Sequence, residues 1–319
     1  MRSYLFVPGN DEAKIVKAFN TEADAIVLDL EDSVAPQDRN KARSVVRDAL
    51  EARTPEMRKS GPKAFVRVNP LGDGEAFRDL DSVMPGRPDG IVLPKCRDGE
   101  NAKKLSEMLV AKESELAITT GTVKLIAIAT ETARSVFGLG SYGGSTPRLL
   151  GLGWGAEDLS ADMGALANRD DDGRFLPPYQ LVRNLCLIAA HAARVEAIDT
   201  VHIDFKDEAG LKRECEAALR DGFTAKMAIH PAQIAIINEA FTPFKSDVEQ
   251  SKALVEAFAK AGNPGVLGID GKMYDRPHLM RAEKIVLRAE TYGMKDDPPP
   301  PRKKRAPAKP RAKRTSKKK

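Results

Sequence analysis

Short apolar runs rich in β-branched residues alternate with longer amphipathic stretches along most of this chain. The runs Ser3–Val7, Ala25–Leu30, Ala64–Val68, Gly90–Leu93, Lys124–Ala129, Arg148–Leu152, Thr200–Phe205 and Thr224–Ile229 read as eight strands. Helical periodicity occupies Asp11–Asn20, Asn40–Ala52, Asn101–Lys112 and Leu181–Ala193, with Gly and Pro clusters at the joins. Near-continuous apolar strands separated by helices imply a parallel sheet covered on both faces. Eight such units in roughly 230 residues predict a (β/α)8 barrel, an α/β fold. The rival is a doubly wound open sheet, but no early Gly-rich phosphate turn supports it. After the eighth strand, Ser246–Ala261 and Pro277–Tyr292 add two more helical patterns. The expected organisation is a barrel over 1–235, a helical extension over 236–295 and a disordered tail over 296–319.

Barrel enzymes keep their chemistry at the C-terminal ends of the strands. Ionisable residues follow seven of the eight predicted strands: Asp29, Glu31 and Asp32; Arg67; Lys95; Glu131; Glu157 and Asp158; Asp204 and Asp207; and His230. Solvated loops do not require that. The pattern points to an active site that gathers carboxylates and a few cations.

Glu131 and Asp158 are the sharpest pair, because they end consecutive predicted strands and so face each other across the mouth. Two carboxylates on rigid elements, with positions left for water or substrate oxygens, suit Mg2+. The structural alternative is that Glu157 and Asp158 open a helix. In Asp29-Leu30-Glu31-Asp32-Ser33, Asp29 and Glu31 share a face of an extended segment and offer further ligands or a second layer of orienting groups. The alternative is a helix N-terminus, where acids favour the macrodipole. Arg67 on a barrel strand must be paired, either with a substrate carboxylate held bidentately or with Asp29 or Glu31. Lys95 raises a different mechanism, a Schiff base with a ketone substrate, which nearby carboxylates oppose by keeping its ammonium charged. His230 could shuttle protons, although a backbone-tied histidine is commoner. The string Gly138 to Gly143 matches GxGxxG without the strand it requires. Asn168 to Tyr179 opens like a calcium loop but lacks Glu at its twelfth position. Both read as loops.

Composition sharpens the class. The chain has 319 residues, 51 of them Lys or Arg against 46 Asp or Glu, a formal charge of +5. Eleven of the basic residues lie in 301–319, which hold no acid, so 1–300 carry 40 against 46, a net of −6. A basic nucleic-acid-binding globular domain is thereby disfavoured, and the tail alone is expected to bind polyanions, weakly and with strong salt dependence. No apolar run reaches the ~18 residues of a membrane span, and the N-terminal apolar stretch is too short for a signal peptide. Cys96, Cys186 and Cys215 form no CxxC pair, which points to a reducing cytoplasm.

Taken in order, several segments resemble the citrate lyase beta-subunit and malyl-CoA lyase group of CoA-ester lyases. They are Arg2 to Asn10, Leu28 to Val34, Lys41 to Arg43, Val66 to Asn69, Leu93 to Lys95, Ala129 to Thr132, Gly155 to Leu159, Ile229 to Gln233 and Gly271 to Asp275. The resemblance spans nearly all of the chain before the tail. It implies a (β/α)8 barrel holding Mg2+ on Glu131 and Asp158, with Arg67 and Glu131 contacting substrate. It also implies that Asp275 acts in the active site of a neighbouring subunit, in a homotrimer or hexamer. The implied reaction is reversible cleavage of a 3-hydroxyacyl-CoA thioester to acetyl-CoA and a 2-oxo acid. A thioesterase acting through the same site is the alternative on that scaffold. Glu12-Ala13 depart from the group's usual Pro-Arg, which blurs the contacts expected for the CoA nucleotide.

Overall fold

The computed structural model describes residues 1–297. All but the first two residues of the tail expected at 296–319 lie outside the described residues. The chain forms two compact units, Met1–Thr242 and a second beginning at Pro243.

The first unit is a closed barrel of eight parallel strands. They are β1 (Ser3–Pro8), β2 (Ala25–Asp29), β3 (Lys63–Arg67), β4 (Gly90–Leu93), β5 (Lys124–Ile128), β6 (Leu149–Gly153), β7 (Glu196–Asp199) and β8 (Ala225–Ala228). β1 pairs with β8 at Ser3 and Lys226 and closes the ring. Successive side chains on a strand point to opposite faces, and this alternation sorts the core into two layers. Ala25 and Val27, Phe65, Ile126 and Ile128, and Ile198 fill the barrel interior. Ile26, Leu28, Ala64, Val66 and Ala197 instead pack outward against the helices.

Helix ends follow local chemistry. Asp11 N-caps Glu12–Phe19 through the Lys14 N–H, and Asp98 caps Gly99–Glu115 through Asn101. The seventh strand corrects the sequence expectation. Thr200–Phe205 alternates like a strand, yet β7 is Glu196–Asp199, and Asp204 and Asp207 belong to the loop beyond it. The reason is the preceding helix: Pro177–Ala193 stops at Arg194 in the left-handed region (φ 59°), and the chain enters the barrel two residues later. Helix Gln233–Phe241, not expected from the sequence, completes this unit.

The second unit contains helices Lys245–Lys260 and Arg276–Tyr292 and an antiparallel hairpin of β9 (Val266–Ile269) and β10 (Lys272–Asp275). Asp270 (φ 47°) and Gly271 (φ 75°) make its two-residue turn. An Asp-Gly pair is the standard signal for such a turn, because both positions take a positive φ.

Candidate active site

The strand register brings the first part of the site together. Asp29 and Arg67 are partners at the ends of β2 and β3, on the inward parity of both strands. Arg67 donates from Nε to Asp29 Oδ1 at 2.6 Å and from Nη2 to Oδ2 at 2.7 Å, while Nη1 lies 3.0 Å from Glu31 Oε2. The Asp29 carboxylate also accepts from the backbone N–H groups of Glu31 and Ser33. Burial opposes ionisation of Asp29, but the Arg67 charge and these hydrogen bonds hold its carboxyl below the usual range. Segment 30–34 is a turn, and the first helical residue after it is Pro36, so the helix-dipole reading of these acids does not hold. Arg67 is thus paired within the protein, as its structural alternative required, and it also lines a cavity at the strand ends.

That cavity, of about 310 Å3, opens at the C-terminal ends of the strands. Arg67, Glu131 and Asp158 all line it, together with Asp29 and Asp32. Glu131 is buried, and a backbone N–H from Lys95 donates to its Oε2. Lys95 makes that bond from a left-handed conformation (φ 48°), uncommon for a residue with a side chain. Its ammonium contacts Glu31 and reaches Asp32 at 3.1 Å and Asp158 at 3.3 Å. Burial, followed by the neighbouring Asp158 charge, pushes the Glu131 carboxyl up to about 8. Burial likewise raises Glu31 to about 7, although Arg67 and Lys95 oppose it. For Lys95, burial is outweighed by Glu31, Asp158 and Asp32, which raise its ammonium above the ordinary lysine range. A charged, triply paired ammonium is not a nucleophile, so the geometry opposes the Schiff-base alternative.

Asp158 stands in the first turn of helix Ala156–Asp162, as its structural alternative anticipated, with its side chain still at the cavity. Gly155, just before it, makes room for Glu131. A Cβ at Gly155 would lie 2.6 Å from Glu131 Cγ.

The sequence reading missed the polar wall behind this mouth. Asp199 and Lys226 have outward parity and are buried between barrel and helices. Asp199 accepts from Trp154 Nε1 at 2.7 Å and from Lys226 Nζ at 3.0 Å, and Lys226 also reaches Glu214 at 3.2 Å. Trp154 lines the cavity immediately before Gly155. This network therefore braces the end of β6 that leads into the helix carrying Asp158. The only sequence signal was a charged residue at outward parity on two strands. His230 is tied locally, its Nδ1 accepting from the Ala232 N–H and its ring stacked on Phe205. The GxGxxG string follows the short helix Ala133–Val136, and Tyr179 is buried in a helix, so neither pattern makes a site.

Asp275 lies in the second unit, at the end of β10, where it N-caps helix Arg276–Tyr292. Its Oδ1 is 2.5 Å from His278 Nδ1. The hydrogen bond from His278 lowers its carboxyl below the ordinary value.

Acids, an arginine and a lysine at a barrel mouth do not by themselves name a family, because one fold hosts many chemistries. The profile described as HpcH/HpaI aldolase/citrate lyase matches residues 2–231. The chain belongs to this family. A second profile, described as a C–C bond lyase of the TIM-barrel fold, matches residues 180–294 of this aldolase/citrate lyase family member. The citrate lyase subunit beta of Leuconostoc mesenteroides subsp. cremoris is 31% identical over 297 residues, covering 92% of this chain and 95% of the relative. The mitochondrial citramalyl-CoA lyase of Rattus norvegicus is 32% identical over 304 residues, covering 90% and 86%. Among solved structures, protein CitE from Mycobacterium tuberculosis in complex with magnesium, acetoacetate and coenzyme A superposes with a TM-score of 0.70 at 30% identity. It covers 91% of this chain and 98% of that one. No helix among the described residues is long and apolar enough to cross a membrane.

Proposed function

We propose that this protein is a Mg2+-dependent carbon–carbon lyase. It reversibly cleaves a 3-hydroxyacyl-CoA of the malyl, citramalyl or citryl type to acetyl-CoA and a 2-oxo acid. The observation that carries this reading is the convergence of Glu131, Asp158 and Arg67 on one cavity at the strand ends. Family membership, and the magnesium, acetoacetate and coenzyme A held by CitE, support the same substrate class.

The residues fit a hard divalent cation. Among the described residues no three His, Cys, Asp or Glu side chains converge to hold an ion by themselves. Glu131 and Asp158 offer a two-carboxylate site, the form that suits Mg2+, which keeps several water or substrate oxygens. Gly155 leaves room for the Glu131 side chain, and both residues line the cavity. When bound, Mg2+ would supply Lewis-acid polarisation of the substrate hydroxyl and, in the reverse direction, of the keto-acid carbonyl.

The chain's own groups do the rest. Lys95 orients Glu131 with its N–H and ties Asp32 to Asp158 with its ammonium. Asp29 clamps Arg67 so that its guanidinium is presented to the cavity at no cost in reorganisation during the reaction. Arg67 would take up the negative charge that develops on the thioester enolate oxygen as the carbon–carbon bond breaks. Asp275 would protonate the enolate carbon in cleavage and, by reversibility, remove a methyl proton from acetyl-CoA in condensation. Phe6, Ile128 and Met227 give the cavity an apolar side that limits water at the enolate, which favours lyase over thioesterase chemistry. A homotrimer or hexamer, with Asp275 serving a neighbouring mouth, and a cytoplasmic location complete the proposal. Three buried free cysteines accord with the latter.

The test is an assay of purified protein with Mg2+ against malyl-, citramalyl- and citryl-CoA. Acetyl-CoA and a 2-oxo acid should form from one of them, stop with EDTA and resume with Mg2+. Release of free CoA thiol without acetyl-CoA would assign a thioesterase instead. Turnover insensitive to EDTA would remove the metal from the proposal.

A further inference from the structure

We infer that His278 is a proton-relay residue that exchanges the proton of Asp275 with solvent, an inference that rests on the reading of Asp275 as the general acid/base. The two side chains lie three residues apart at the start of helix Arg276–Tyr292, and they also form a capping box. A capping box needs two bonds, each from a side chain to the other residue's backbone N–H. Both contacts are long, Asp275 N to His278 Nδ1 at 3.4 Å and His278 N–H to Asp275 Oδ1 at 3.5 Å, and the first is no hydrogen bond while Nδ1 carries a proton. The direct contact between the side chains, Nδ1 to Oδ1 at 2.5 Å, is far closer, and the box does not require it. Two lone pairs cannot approach to that distance, so one proton lies between carboxylate and imidazole.

The pair is also open to water. The side chains of His278 and Asp275 are 45% and 39% exposed. Tyr274 meets the imidazole edge-on, with ring centroids 5.5 Å apart, and limits its rotation. By contrast, His191 is bonded to the Gly222 carbonyl and His230 to a backbone N–H, while His202 is buried against Glu214. Among the described residues, which include all four histidines, His278 alone combines a carboxylate partner with an exposed side chain.

The proton count closes in both directions once the substrate hydroxyl is included. It gives its proton to solvent as the carbonyl forms in cleavage, and the alkoxide takes one from solvent in condensation. In cleavage, Asp275 gives its proton to the enolate carbon, and the electron pair of the enolate forms the new C–H bond. The Nδ1 proton of His278 then moves to Asp275, and Nε2 with solvent restores the imidazole. In condensation, Asp275 takes the methyl proton, and its electron pair forms the carbon–carbon bond to the keto carbon. The proton then leaves through Nδ1 and Nε2 to water. Imidazole is suited to this because its two nitrogens accept and release protons near neutral pH.

The decisive variant is His278→Gln, because Gln serves a capping box as well as its natural occupants do but cannot relay a proton. Full-length protein with Mg2+ is incubated with acetyl-CoA in D2O, and deuterium entering the methyl group is followed by mass spectrometry, alongside turnover and Tm. His278→Gln should slow wash-in and kcat by about tenfold or more, with KM and Tm unmoved. His278→Ala should be equally slow and recover with added imidazole. Wild-type rates in His278→Gln, or no imidazole recovery in His278→Ala, would reduce His278 to a helix cap. Asp275→Asn separates the two layers. Abolished wash-in with an unaffected His278→Gln sinks the relay alone. Normal wash-in in Asp275→Asn sinks the acid/base reading and the relay with it.

Discussion

Glu131 shows how much of the site is set by atoms that are not there. Its side chain runs through the space left by the missing side chain of Gly155, with Cγ 2.6 Å from where a Cβ would stand. Gly155→Ala must therefore displace Glu131 or the loop before Asp158. Mg2+ affinity measured by calorimetry should fall at least about tenfold, roughly 1.4 kcal/mol, while far-UV circular dichroism stays unchanged. Asp158→Asn should remove the Mg2+-dependent rise in Tm and lower turnover by a factor on the order of 100 or more. A retained Mg2+ response would place the cation elsewhere. Glu131, Asp158 and Arg67 were legible because a barrel puts chemistry at strand ends. Gly155 was not, since a glycine's use depends on which side chain arrives beside it.

Elements are held in register by buried ion pairs as well as by apolar packing. Glu113, on helix Gly99–Glu115, takes Arg148 Nη1 at 2.8 Å and Nη2 at 2.5 Å and accepts the N–H groups of Gly121 and Val123. Helix, turn and the entry to β6 thus meet on one carboxylate. Arg148→Met leaves that charge buried without its partner and should cost about 3–5 kcal/mol in chemical denaturation. Burial opposes ionisation of Glu113, but Arg148 and the two N–H bonds hold its carboxyl below the ordinary value. A depressed folded pKa gives stability that is present above the unfolded value and lost as pH falls through the folded one. Acid titration of Tm should therefore show a loss below the usual carboxylate range that is smaller in Arg148→Met. The strand misplaced at Thr200–Phe205 belongs to this scale too: alternation alone cannot tell a strand from the loop after it when a helix ends early.

At the scale of the whole molecule, the two compact units carry different parts of the proposed chemistry. Mixing Glu131→Gln protein with Asp275→Asn protein should restore turnover that neither has alone, if Asp275 serves a neighbouring mouth. Failure to complement under conditions that exchange subunits would confine Asp275 to its own chain. Deleting 298–319 should leave kcat and KM unchanged and abolish retention on a polyanion column at low salt, because those residues turn a net of −6 into +5. The sequence by itself determined the barrel, the acidic mouth and the family resemblance, because strand periodicity and strand-end residues are local properties. Only the tertiary structure decided that Arg67 is clamped by Asp29, that Lys95 binds three carboxylates, and that Asp199 and Lys226 brace Trp154. Those contacts join residues tens of positions apart, and they exist only once closure of the barrel has fixed register and parity for every strand.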